Sequence, residues 1–302
     1  MPGIKELKTR IKSIGSTRKI TRAMQMVSAA KMRKAQNAVL QSRNYASLAW
    51  ETILSVAKQG AFKNPLIRAY SKAKKIGIIL LSSNKGFVGS LNTNLLAKLK
   101  EIDPSTVARD DNVINNEVIC EIVTYGKKGQ ILATRLNKTI TADFAKPERF
   151  IKVEEIYPIA QFISESYARG EYKKIYLVYN HFLSTLQQKP AARQLLPFTD
   201  SLRHELEDFD ASGAEMEQPI IYEPNPAEVV NHLIPRIIES QIYQTILETD
   251  ASEHSARMVM MKNATEAAGD LIGDLTLTYN QIRQNKITTE LAEITAGKIA
   301  LE

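Results

Sequence analysis

Apolar residues at Ile4, Leu7, Ile11 and Ile14 recur at a 3-4-3 spacing, and apolar positions resume at Ile20, Met24 and Val27. A stripe of that period lays one side of an α-helix against one helical partner. From residue 16 to residue 59 the chain carries neither Gly nor Pro, so a single helix of about 66 Å is predicted there at roughly 1.5 Å per residue. The far end mirrors this pattern. Met261, Thr265, Ala268, Ile272, Leu275, Tyr279 and Ile282 follow an alternating 4-3 rhythm. After Ile282 the phase slips, and Ile287, Leu291 and Ile294 take over on another side, as at a tip that leaves its first partner for a second surface. Pro235 is the last proline, which allows one helix over 236–302. Two such seams in one chain predict that its ends pair, antiparallel.

The middle alternates differently. Short apolar runs at 75–81, 117–125 and 174–179 have strand length, and helical spacing follows at 92–100, 126–136 and 153–168, with Pro158 blurring the last. Strands alternating with helices predict a largely parallel sheet, and 191–198 is expected to add an antiparallel strand across a turn at 187–190. Residues 200–217 hold seven acids without such a pattern and read as a loop. The expected fold is α/β: a Rossmann-like three-layer body inserted between long N- and C-terminal helices that form an antiparallel coiled coil. The expected divisions are an N-terminal helix at 1–70, the body at 71–220 and a C-terminal helix at 221–302.

Charge adds an asymmetry. Residues 1–60 hold twelve Lys or Arg against Glu6 and Glu51, whereas the chain as a whole is only +7. That end is expected to meet something negative: nucleic acid, anionic lipid or an acidic protein surface. Its first 30 residues have a transit-peptide composition, but the pattern runs on for another 30, so the segment reads as structure. A nucleic-acid-binding coiled coil is the alternative from composition. Against it, residues 1–44 offer no Phe or Trp and no Tyr on which bases could stack, with Tyr45 the first aromatic side chain. No apolar run approaches the ~20 residues that span a bilayer, so membrane association is expected only through partners.

Candidate chemistry is sparse. Ser83-Asn-Lys-Gly-Phe-Val-Gly-Ser90 follows a strand and precedes a helix, where phosphate loops occur, but it lacks both glycine-loop spacings. The single Cys120 excludes an internal disulfide, and the four histidines lack zinc-site spacing. No catalytic, cofactor-binding or metal-ligating set is expected.

The terminal motifs nevertheless form a signature. Residues 11–34 (Ile-Lys-Ser-Ile-Gly-Ser-Thr-Arg-Lys-Ile-Thr-Arg-Ala-Met-Gln-Met-Val-Ser-Ala-Ala-Lys-Met-Arg-Lys), with 251–258, 274–280 and 283–290, resemble the gamma subunits of F-type ATP synthases. So do Tyr222-Glu-Pro-Asn-Pro226, 238–243, 176–182 and 194–197. The body loop departs from the family's usual Ser-Asp-Arg-Gly-Leu-Cys/Ala-Gly-Gly at 83–90, although Lys85 keeps a positive charge, and Lys298 stands where the family has Ala. The resemblance implies a non-catalytic rotor shaft without cofactors, carrying torque between a proton-driven c-ring and a hexamer of alpha and beta subunits, and bound to epsilon. It also implies a peripheral place on the cytoplasmic side of the cell inner membrane, reached through the complex. By correspondence, Lys19, Arg22, Met24 and Lys85 face an acidic loop of beta. Arg257, Arg283, Gln284, Thr288 and Glu290 correspond to contacts with beta higher up, and Tyr222 and Glu223 to the epsilon and c-ring junction.

Overall fold

The computed structural model describes residues 3–57, 64–102, 118–197, 223 and 225–299. The chain divides into two compact units, one made of Met1–Ala30 with Arg257–Glu302 and the other of Lys31–Ala256. Their boundaries fall inside the two long helices.

The larger unit is built on a five-stranded sheet. Strands β1 (Lys75–Leu81), β2 (Ile119–Tyr125), β3 (Thr139–Phe144), β4 (Tyr172–Phe182) and β5 (Gln188–Leu196) lie in the order β3-β2-β1-β4-β5. The first four are parallel and β5 returns antiparallel to β4, with Ile175 opposite Leu196. Period-two alternation sends β1 residues to opposite faces. Ile78 and Leu80 pack on α2 (Leu91–Ile102) and α3 (Lys127–Arg135) through Leu95, Leu99 and Leu132. Ile79 and Leu81 pack on α4 (Tyr157–Ala168) and on the first half of α5 (Pro226–Ile299) through Ile159, Ile163, Ile238 and Ile242. The body therefore has three layers, as the alternation predicts.

Three expectations need correction. Pro190 lies within β5 rather than in the turn, opposite Asn180; β5 is an edge strand, where a missing N–H breaks no ladder bond. Strand β3 was not foreseen. It too is an edge, with Thr139, Ile140 and Thr141 exposed, so its apolar alternation is faint. Helix α5 begins at Pro226 and runs through Pro235. An interior proline costs about 3 kcal/mol, but Ile234, Ile237 and Ile238 are all buried beside it, and each is worth about 1.5–3 kcal/mol. Burial outweighs the kink. Pro158 sits in the first turn of α4, where it starts the helix. The acidic stretch 200–217 lies outside the described residues.

The smaller unit pairs the start of α1 (Ile4–Ala57) with the end of α5. Hydroxyls of Thr21 and Thr265 meet at 2.7 Å. Each hydroxyl also has a carbonyl of its own helix in reach, Met261 for Thr265 and Arg18 for Thr21, so either can be the donor between the helices. Further along, the Arg18 guanidinium lies across Gly269, in van der Waals reach of any Cβ added there. Numbers fall on α1 as they rise on α5, so the pair is antiparallel. On α5 Met261 is buried, and Thr265, Ala268, Ile272, Leu275, Tyr279 and Ile282 are half-buried. On α1 the seam uses Ile4, Leu7, Ile11 and Ile14 as expected, but then passes through Thr21 and Ser28. Ile20 and Val27 face outward, 60% and 57% exposed. Small hydroxyl side chains let the helices approach closely, and outward apolar residues break the reading by hydropathy.

Candidate partner interface

In doubly wound sheets ligands bind beyond the carboxyl ends of the strands, where strand order reverses. Here that reversal lies between β1 and β4, and the crevice is filled by the chain itself. Ser252 of α5 donates to the Asn180 carbonyl at 2.9 Å, and Ala256 packs on Val88 and Leu91 of the segment after β1. The segment is braced from below: Ser82 Oγ accepts from the Gly129 N–H at 2.6 Å, and Gly126 sits at φ +98° so close to Ser82 that a Cβ would lie 2.5 Å from its carbonyl oxygen.

Helix α5 is enclosed on nearly every side from Ile237 to Ala256, although this stretch is rich in polar residues. Several of its polar groups meet residues at or just beyond strand ends. Lys146, just after β3, reaches Asp250 and Glu253 at 2.6 Å each. His181 Nδ1 lies 2.7 Å from Glu248, and Ser255 donates to the Thr185 carbonyl at 2.7 Å. Burial opposes charge on Lys146, but the two carboxylates outweigh it and hold the ammonium above its ordinary range. Asp250 is pushed up by burial, an effect that Lys146 offsets only in part. None of these groups stood out in the sequence. An isolated buried lysine has no local spacing, and only the fold brings 146 to 250.

The residues assigned from the family resemblance are distributed as follows. In the larger unit Lys85 is exposed and pairs with Glu148 at 2.8 Å, while Lys31 donates to the Glu148 backbone carbonyl at 3.1 Å. The Lys85 hydrogen bond holds the Glu148 carboxyl below the usual range. Two residues on, Phe87 adopts φ +61° and displays its ring to solvent. In the smaller unit Lys19 and Arg22 are exposed on α1, and Met24 is half-buried. Arg257 is buried, unlike the other assigned cations. Arg283, Gln284, Thr288 and Glu290 are exposed; Thr288 donates to the Gln284 carbonyl, and Glu290 pairs with Lys286 at 3.6 Å. Carrying the Thr21–Thr265 register down both helices places Ile4 level with about Ile282. Every side chain from Arg283 to Ala296 is exposed, including Ile287, Leu291 and Ile294. The predicted slip of phase falls where α1 runs out. Glu223 is exposed, and Tyr222 lies outside the described residues.

Comparison with known proteins agrees at every scale. The sequence profile of a family described as ATP synthase matches residues 3–301. The ATP synthase gamma chain of Pelotomaculum thermopropionicum is 38% identical over 303 residues, covering 100% of both chains. Those of Stenotrophomonas maltophilia and Haemophilus influenzae are 37% and 38% identical, covering 98% and 100% of this chain and 99% and 100% of their own. Among solved structures, a chain of the Euglena gracilis mitochondrial ATP synthase OSCP/F1/c-ring assembly shares the fold with a TM-score of 0.64 at 19% identity, covering 99% of this chain and 94% of its own. A chain of the Tetrahymena thermophila central stalk and c-ring does so with a TM-score of 0.58 at 22% identity, covering 81% and 99%. Nothing in these matches supports the nucleic-acid-binding alternative. The chain belongs to the ATP synthase gamma family.

Proposed function

We propose that this chain is the central rotor of an F-type ATP synthase and transmits torque between a membrane ring of c subunits and a catalytic hexamer of alpha and beta subunits. The observation that carries this reading is the antiparallel pairing of the two chain ends. It has no catalytic part; it acts by geometry. A shaft without threefold symmetry inside a threefold ring presents a different side to each beta subunit. It thereby favours different conformations of each, which is the only means by which a partner shifts such an equilibrium.

Lys19, Arg22, Met24 and Lys85 are proposed to face an acidic loop of beta, supported by the exposure of the three cations. Arg257, Arg283, Gln284, Thr288 and Glu290 are proposed to meet beta, supported by the exposure of the last four; Arg257 is buried within the chain, which speaks against its contact. Tyr222 and Glu223 are proposed for the epsilon and c-ring junction. Proton coupling and a place on the cytoplasmic side of the inner membrane follow from the same reading, and no described helix is long and apolar enough to cross a membrane.

The test is direct. A gold bead attached to the body of this chain, in a complex whose hexamer is fixed to glass, is expected to turn in one direction while ATP is hydrolysed. A bead that stays still during sustained hydrolysis would refute the assignment.

A further inference from the structure

Helix α5 is held to the sheet by two kinds of contact with different mechanical properties. Ile234, Ile237, Ile238, Ile242 and Ile246 bury apolar surface against the sheet face. Such contact is non-directional, and its free energy follows buried area, so it opposes a small rotation less sharply than a paired charge does. The Lys146 contact is directional. Its Nζ lies 2.6 Å from both Asp250 and Glu253, which stand one turn apart on α5, and all three side chains are at most about one-tenth exposed. Displacing α5 by one residue turns it by about 100° and shifts it about 1.5 Å. That movement takes both carboxylates from the ammonium and breaks a pairing of buried charges, which is costly in a protein interior. Ser252 adds a neutral bond to Asn180 near the end of β4, and Ser255 one to Thr185 in the turn that follows it. Glu253 precedes by four positions the residue at which α5 passes into the coiled-coil unit.

We infer that Lys146 is a positioning residue that locks the rotational phase of α5 against the sheet, so that torque applied to the body turns the coil without slip. This inference rests on the rotor reading above. Lys146 touches no substrate; it acts through Asp250 and Glu253. An ordinary stabilising role would lower the amount of complex formed, whereas a phase lock sets how much transport accompanies each ATP.

The experiment uses the whole complex reconstituted in vesicles, with ATP hydrolysis and ATP-driven proton uptake measured on the same preparation. Lys146→Met removes the lock but leaves two buried carboxylates. The triple variant K146M/D250N/E253Q removes the lock and the stranded charge together, which keeps the fold accessible. Lys146→Arg retains the charge. Uptake per ATP is expected to fall at least about threefold in the Met and triple variants with KM for ATP unchanged, and to stay within about twofold of wild type in the Arg variant, as a loss of coupling between distant sites requires. A triple variant that assembles and pumps at the wild-type ratio overturns the inference. Failure of the triple variant to assemble does so as well, since the network would then serve folding. If the wild-type complex shows no uptake linked to hydrolysis, the rotor reading itself fails, whatever the variants do.

Discussion

At the scale of single residues, polar groups at or near strand ends brace a body whose core is apolar. Glu121 is an instance: it accepts from Lys75 at 2.7 Å, from the Tyr172 hydroxyl at 2.7 Å and from Thr141 at 3.3 Å. Burial alone pushes its carboxyl up, but these donors outweigh that effect and hold it below the usual range. A depressed carboxylate stabilises the fold at pH values above its unfolded pKa, about 4.3, and that contribution is lost as pH falls through the folded value. In urea titrations of the purified chain, Glu121→Gln is therefore expected to lower the midpoint at pH 7. The two curves should converge on acidification through the depressed folded pKa, below which wild-type Glu121 is itself protonated. Parallel curves over that range would exclude the mechanism. Gly126 is more exacting still. Its φ of +98° and a would-be Cβ 2.5 Å from the Ser82 oxygen make Gly126→Ala doubly unfavourable, by about 2 kcal/mol or more in the same titration. Neither role is visible locally in the sequence, because Ser82 and Gly126 come together only when β1 and β2 pair.

At the scale of elements, periodicity foretold much and failed in instructive places. The α5 seam from Met261 to Ile282 is where its spacing put it. On α1 the same rule chose Ile20 and Val27, which are exposed, over Thr21 and Ser28, which are not. Hydropathy ranks residues by transfer from water, whereas close helix approach selects by size. Leu7→Ala, at a position 2% exposed, is expected to destabilise the coil by about 2–5 kcal/mol. Ile20→Ser and Val27→Ser should fall within about 0.5 kcal/mol of wild type, as read by helical circular dichroism on heating. If the order is reversed, the assigned seam is wrong. Polar α5 from Ile237 to Ala256 was illegible as a buried helix for the opposite reason: its partners are strand ends, which carry no helical period. The tip beyond Ile282 supplies a further prediction. Among the described residues, every side chain at 285–302 is exposed, so after deletion of 285–302 complex assembly should persist while coupling of hydrolysis to proton transport weakens. Full coupling after that deletion would show that the tip bears no load.

At the scale of the whole molecule, the division of chemistry is the point. A doubly wound sheet has one natural place for a nucleotide, the crevice at the strand-order reversal. This chain fills that crevice with its own helix, through Ser252 on the Asn180 carbonyl and Ala256 against Val88 and Leu91. The segment after β1 is likewise committed: Ser83 Oγ contacts Asn92, and the Ser83 carbonyl accepts from the Lys128 N–H at 3.0 Å. The sequence signals agree, since the glycine spacings of phosphate loops are missing there. The fold that elsewhere binds a nucleotide serves here as a socket for a helix. The purified chain is accordingly expected to hydrolyse no ATP and to gain no thermal stability from millimolar ATP with magnesium, because a ligand stabilises a fold only by binding it. A shift in unfolding temperature that saturates with ATP would mean that the crevice opens, and would return to this chain a chemical role that its geometry now assigns to its partners.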